Sequence, residues 1–171
     1  MASKNVAMLL RAFDLFKQRS NADVKLLLAG RLAWRYRDVL RTHRAMVHRG
    51  DVVFLGYLPG PQLERVTASA LALACVSLHE GFGLPVAEAM ACGVPAIVSD
   101  RSALPEIAGD AALLVDPLDC DAIAAALQRI AASADLRAGL ARRGRVRAER
   151  FRWDTTATAV WRALSQVMNI R

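Results

Sequence analysis

Residues 71–99 read LALACVSLHEGFGLPVAEAMACGVPAIVS, and their pattern decides the fold. Residues 71–77 form a short apolar run closed by a loop, which predicts a buried strand. A helix is expected from Pro85 to about residue 91, with Pro85 at its first position, where a missing N–H costs nothing. Residues 96–99 predict another strand. Strand, crossover helix and strand make a parallel pair. The same alternation extends outward. Residues 6–17 place Leu9, Leu10, Phe13 and Phe16 at helical spacing, and residues 24–29 predict a strand ending at Gly30. A basic amphipathic helix follows from Trp34 to about residue 47, then a strand at 52–55 closed by Gly56. A short helix at 62–70 follows the Pro59-Gly60-Pro61 turn. Downstream come a short fifth strand at 111–115, a helix capped by Asp119 or Asp121 running to residue 130, and a helix from Asp135. A last helix follows Trp153-Asp154 to about residue 168. The expected fold class is α/β, a doubly wound parallel sheet covered on both faces.

At 171 residues, 54% apolar and 23% charged, the chain is sized for a single domain that buries about 70% of its unfolded surface. That apolar fraction excludes disordered, collagen-like and low-complexity classes. The longest apolar-rich uncharged stretches, 68–78 and 89–99, fall well short of the ~20 residues a membrane-crossing helix needs. Arg11 interrupts the N-terminal apolar run before a signal-peptide core forms. Cys75, Cys92 and Cys120 are dispersed and odd in number, which predicts reduced thiols in a cytoplasmic setting. The net charge of +7 comes from 20 Arg and 3 Lys against 16 acids, with a run at Arg142, Arg143, Arg145, Arg147, Arg150 and Arg152. Such a run is either a footprint for a polyanion or a set of solvated faces. Without a nucleic-acid motif, no nucleic-acid partner is expected. Peripheral contact with an acidic membrane surface, at the inner membrane, stays open.

Ligands of doubly wound folds bind at the carboxyl ends of the strands. The richest loop there is residues 77–88, SLHEGFGLPVAE. Its glycines let a ligand approach the backbone, and the amides of Gly81, Gly83 and Leu84 at a helix start suit a phosphate. Glu80 lies before the helix and Glu88 about one turn inside it, so they cannot share a helical face. They are read either as grips on opposite ends of one elongated ligand, each accepting from hydroxyls, or as a loop acid and a complement to the helix dipole. Arg31, just past Gly30, either faces phosphates or is an exposed helix-start arginine. His79 is either a contact for the ligand beside Glu80 or structural. Asp119-Cys120-Asp121 spells D-x-D but immediately precedes an apolar helix, so capping is the expected role and no metal site is assigned. Glu106 is expected to cap or anchor a loop. His43 and His48 sit off the spacing of helical metal ligands and are expected to be solvated.

This chain resembles the family-4 retaining glycosyltransferases of GT-B fold. The likeness rests on two glutamates separated by seven residues, here EGFGLPVAE. It continues through AMACGVPAIVSD, RSALPEIAGDAALLVDP and Phe151-Arg152-Trp153, and upstream through Lys4-Asn5, LLLAG and VVFLGYLP. In full-length members this region is the C-terminal half, the Rossmann-like domain that binds the nucleotide-sugar donor. The resemblance thus implies one donor-binding domain over residues 1–171, with a C-terminal helix at 154–171 that crosses to an absent N-terminal acceptor domain. It implies that Glu80 bonds a sugar hydroxyl, while Gly81, Phe82, Gly83 and Leu84 hold sugar and distal phosphate. Glu88 would accept from the ribose, Tyr57 would lie at the base, and Lys4 would pair with the diphosphate, supplemented by Arg31. No metal or other cofactor is implied, because Lys4 supplies the charge. The donor expected is GDP-mannose or another nucleotide diphosphate sugar, used in polysaccharide or glycolipid assembly.

One departure stands out. Members open this domain with a strand ending in Gly-Arg just before the Lys-Asn pair, and Met1-Ala2-Ser3 stands there instead. In a 3-2-1-4-5-6 order the missing strand is the central one. The strands at 24–29 and 71–77 are then expected either to pair directly or to leave a gap. The chain is expected to be a truncated product, an excised piece or part of a split protein, inactive alone. The alternative is a non-catalytic module, either nucleotide-sugar-binding or purely for interaction, that requires a partner domain.

Overall fold

The computed structural model describes residues 4–31 and 36–168. In chain order its elements are α1 (Val6–Arg19), β1 (Leu26–Ala29), α2 (Tyr36–Ala45), β2 (Val52–Gly56), α3 (Gly60–Ala68), β3 (Leu73–Cys75), α4 (Leu84–Ala91), β4 (Ala96–Ser99), α5 (Leu104–Ala108), β5 (Ala112–Val115), α6 (Cys120–Ala132), α7 (Ala134–Ala148) and α8 (Trp153–Met168). Short 3₁₀ turns lie at Arg49–Asp51 and Glu149–Phe151. All five expected strands form, each in register with a parallel neighbour. Helix α5, only five residues long, was not anticipated, since it is too short to show a helical period. The expected start of α2 at Trp34 lies outside the described residues.

The sheet is divided. Strand β1 pairs with β2, and β3, β4 and β5 form a second sheet in that order. Strands β1 and β3 share no ladder among the described residues, so of the two arrangements expected there, the gap is the one found. Residues 1–3, where the absent strand was placed, lie outside the described residues. Cover on both faces holds for β4, buried at all four positions. It fails for β1, where Leu27 is 45% exposed. Successive side chains point to opposite faces of a strand, and only the face carrying Leu26 and Leu28 meets the core.

Helix α1 joins the two sheets. Leu9, Leu10, Ala12, Phe13 and Phe16 recur at helical spacing and are buried. They share one cluster with Val52 of β2, Val76 just past β3, Ile97 of β4 and Val115 of β5. Helix α6 adds Ile123, Ala124, Ala126 and Ile130 to that cluster. On the other side, Val86 and Met90 of α4 pack with Val98, Leu104 and Ile107 in a second cluster.

Half of the arginine run is structural, as is Arg137 upstream of it, which corrects the polyanion and solvated-face readings for that part. Arg137 donates to the carbonyls of Ile130 and Ala131 at 2.7 and 3.1 Å, closing the end of α6. Arg147 donates to the carbonyls of Ile107 and Glu106 near the end of α5. Arg143 reaches the Asp110 carbonyl at 2.8 Å, and the Arg145 guanidinium lies over Gly93. Asp119 caps α6 by accepting from the Ala122 N–H at 3.0 Å, as expected, while Asp121 pairs with Arg19 at 2.6 Å. His43 and His48 are half-buried, not solvated: His48 lies 3.1 Å from Asp14, and His43 meets Phe54 edge-on. Cys75, Cys92 and Cys120 are free. Helix α8 buries none of its residues and leaves Trp153 and Trp161 80% and 73% exposed. Among the described residues no helix is long and apolar enough to cross a membrane.

Leu10, fully buried where α1 spans the two sheets, gives the first prediction. Leu10→Ala is expected to cost about 2–5 kcal/mol of stability, read as a lower urea midpoint in equilibrium unfolding. A loss under about 1 kcal/mol would mean the seam does not depend on this packing.

Candidate active site

The loop from Ser77 to α4 sits at the carboxyl end of β3. Gly83 caps α4 at φ 101, a left-handed conformation that favours glycine. A Cβ there would also come within 2.6 Å of Leu104 Cδ2. The Gly83 carbonyl accepts from the N–H groups of Val86 and Ala87 at 2.8 and 3.2 Å. The amides of Gly81, Phe82, Gly83 and Leu84 donate to nothing among the described residues. Unengaged amides at the positive end of a helix dipole can receive an anion.

Glu80 stands beside them. Its Oε1 accepts from Lys4 Nζ at 2.5 Å and from Ser77 Oγ at 2.7 Å. The glutamate side chain is 13% exposed and the lysine 43%. Burial pushes the carboxyl's pKa up, but the hydrogen bonds from Lys4 and Ser77, with the lysine's charge, outweigh it and hold the group below its ordinary range. Glu80 is therefore an ionised acceptor at neutral pH, not a proton donor. Its Oε2 has no partner among the described residues.

The backbone around this ion pair is stitched from several loops. Asn5, next to Lys4, donates from Nδ2 to the carbonyls of Val76 and Pro117 at 3.1 and 2.7 Å. Ser99 Oγ donates to the Ser77 carbonyl at 2.7 Å. Ser102 Oγ bonds both the N–H and the carbonyl of Glu80, at 3.1 and 2.5 Å. The ends of β3, β4 and β5 and the start of α1 thus converge on one acid and one base.

The other expected site residues lie along the same strand ends. Phe82 meets Phe151 edge to face at 5.6 Å, tying the glycine loop to the turn before α8. Glu88 is exposed on α4, with no side-chain partner among the described residues. Gly30 N–H donates to the Gly56 carbonyl at 2.7 Å, joining the ends of β1 and β2. Past that bond the Arg31 guanidinium lies 5.0 Å from the centroid of the Tyr57 ring, which is itself exposed. His79 is exposed, with Nδ1 3.4 Å from Ser102 Oγ. Glu106 sits exposed in the first turn of α5. No group of three potential metal ligands comes together among the described residues. A separate cleft of about 420 Å³ between α1 and α2, lined by Arg11, Asp14, Arg41 and Met46, contains none of these residues.

Sequence reasoning found Lys4 and Glu80 singly but not their contact, which spans 76 positions. It missed Ser77, Ser99, Ser102 and the role of the Asn5 side chain. Small polar residues at the ends of otherwise apolar runs were the available signal.

A family model described as glycosyl transferases group 1 matches residues 2–147. O-antigen chain mannosyltransferase B of Escherichia coli is 35% identical over 155 residues, covering 91% of this chain and 41% of that protein. Phosphatidyl-myo-inositol mannosyltransferase of Mycolicibacterium smegmatis is 32% identical over 167 residues, 96% of this chain and 42% of that one. Sucrose-phosphate synthase from Thermosynechococcus elongatus is similar in structure, with a TM-score of 0.89 at 27% identity, covering 100% of this chain and 44% of that chain. The chain spans about two fifths of the length of these curated relatives.

The depressed carboxyl makes a signed prediction. A group whose folded pKa is lowered contributes stability above its unfolded value, about 4.3 for Glu, and loses it as pH falls through the folded value. The stability difference between wild type and Glu80→Gln, followed by urea unfolding, is expected to be steady from about pH 7 to 5 and to shrink below about 4.3. A difference undiminished at about pH 2 would show that the charge of Glu80 is not what stabilises the folded chain.

Proposed function

The chain belongs to the group 1 glycosyl transferases, and we propose that it is the part of such an enzyme that binds a nucleotide diphosphate sugar for retaining transfer. One observation carries this reading: an ionised Glu80 paired with Lys4 beside four unengaged amides at the start of α4. That is a hydroxyl acceptor next to a diphosphate receptor. The amides of Gly81, Phe82, Gly83 and Leu84 receive the distal phosphate, with the α4 dipole behind them. Lys4 neutralises the charge that grows on the departing nucleotide diphosphate, electrostatic stabilisation that strengthens as water is excluded. A positive side chain and backbone dipoles fill the role for which other phosphoryl-handling sites use a metal.

Glu80 orients the transferred sugar through a hydroxyl, using Oε2, which has no partner among the described residues. Glu88, also without a side-chain partner among the described residues and on the helix that starts at the phosphate site, accepts from the ribose. Tyr57 and Arg31 form an exposed aromatic and cationic surface for the base and the proximal phosphate. The donor we favour is GDP-mannose, because two of the relatives are named mannosyltransferases. The acceptor belongs to a further domain, since the relatives are more than twice as long, and α8, with its apolar side chains exposed, suits contact with it. That coverage also favours a second reading, a binding module without turnover of its own.

Calorimetric titration of the chain with GDP, UDP and ADP, then GDP-mannose, tests both readings. Saturable binding of one nucleotide is expected. Glu88→Ala is expected to weaken it by about 1–3 kcal/mol. Glu80→Ala is expected to leave nucleotide affinity largely intact, because the amides and Lys4 remain for the phosphates, while removing the extra affinity of the sugar. If the well-folded chain binds none of these ligands, both readings fall.

A further inference from the structure

Two residues other than glycine hold a left-handed backbone among the described residues, Asn5 at φ 54 and Ser102 at φ 60. That conformation disfavours an L side chain, and such residues persist where their surroundings over-determine them. Both flank the same ion pair. Asn5 follows Lys4 and anchors it through the Val76 and Pro117 carbonyls. Ser102 lies 22 positions beyond Glu80, on the loop between β4 and α5, and grips it.

The grip is reciprocal. Ser102 Oγ accepts from the Glu80 N–H at 3.1 Å and donates its one proton to the Glu80 carbonyl at 2.5 Å. Toward His79 Nδ1, at 3.4 Å, the same oxygen is then left only to accept. A single hydroxyl thus satisfies both backbone groups of one residue, in a loop that no strand ladder holds. The carboxylate is fixed separately by Ser77 Oγ at 2.7 Å, and the Ser77 carbonyl in turn accepts from Ser99 at 2.7 Å. Glycine would adopt the backbone of residue 102 at less cost. The hydroxyl is all that serine adds there, and it is spent on Glu80.

We propose that Ser102 is a positioning residue for Glu80: by clasping its N–H and carbonyl it fixes where the carboxylate meets Lys4 and the sugar. The contact with the sugar rests on the function proposed above; the placement against Lys4 does not.

Two substitutions separate backbone strain from positioning. Ser102→Gly removes the hydroxyl while relieving the left-handed residue. Ser102→Thr keeps the hydroxyl but adds a β-branch that the left-handed conformation tolerates poorly. The Glu80 carboxyl is titrated by its carbon-13 shift, assigned as the resonance that Glu80→Gln lacks. The midpoint reports the geometry around the carboxylate, which accepts from Lys4 and Ser77. The ratio of GDP to GDP-mannose dissociation constants is measured alongside.

Ser102→Gly is expected to melt no lower than Ser102→Thr, to move the Glu80 midpoint up toward an ordinary carboxyl, and to cut the sugar's share of affinity about fivefold, with GDP affinity unchanged. Ser102→Thr is expected to keep the wild-type midpoint while melting lower than wild type. A wild-type Glu80 midpoint in Ser102→Gly overturns the proposal, whatever the nucleotides do. If that midpoint moves but wild type binds GDP-mannose no more tightly than GDP, the assignment of the sugar to Glu80 falls and the positioning role stands.

Discussion

The apolar face of α1 is the constraint on which the rest depends. Two parallel sheets that exchange no backbone hydrogen bonds among the described residues are joined because Leu9, Leu10, Phe13 and Phe16 pack on both. Backbone ladders are local to each sheet. What unites them is non-directional burial, roughly proportional to the apolar area removed from water. Such a seam sets distance loosely, and polar contacts must set orientation. The Asn5 side chain does this at the start of the helix, reaching one carbonyl past β3 and another past β5.

The helix that closes the core therefore also delivers Lys4. Its position is an outcome of packing far from the site, because α1 cannot rotate without exposing Phe13 and Phe16, each 2% exposed. Glu80 arrives from the opposite direction, on a loop held by serines from the ends of β3 and β4 and from the loop past β4. The two charges meet where four segments of chain converge, which explains how a lysine 43% exposed can hold a contact of 2.5 Å. An exposed pair of this kind contributes little by itself. Here the surrounding hydrogen bonds have already ordered both partners, so little further entropy is lost in forming the contact.

Periodicity carried most of the fold. Each of the five strands and all the helices but α5 were legible as apolar runs or helical spacing, with ends off by one or two residues where turns compete with ladders. Helix α5 was not, because five residues make barely more than one turn. The resemblance left the division of the sheet as one of two arrangements, and the spacing could not choose between them, since a gap between strands leaves no mark in either run. At the site, Glu80, Gly83 and the amides were legible from the local pattern of glycine, proline and acid. The serine contacts were not, because serines 77, 99 and 102 become partners only when β3 and β4 lie side by side. A side chain that bonds across 22 or 76 positions has no local signature.

The distribution of charge shows why net charge is a poor guide to this site. The excess of +7 is carried by arginine, but Arg137, Arg143 and Arg147 spend their guanidinium groups on backbone carbonyls around α5 and α6. Arg101 pairs with Asp100 and Asp116, and Arg19 with Asp121. Guanidinium suits this work, since its fork of donors reaches two carbonyls at once and it stays charged. Positive character with donors to spare lies instead in the amides of the glycine loop at the start of α4 and in a lysine whose three protons exceed the single carboxylate oxygen it holds. A diphosphate entering there need not break the ion pair, because Lys4 can turn a second N–H toward it while the first stays on Glu80. The acid keeps the base in place, and the base keeps the acid ionised.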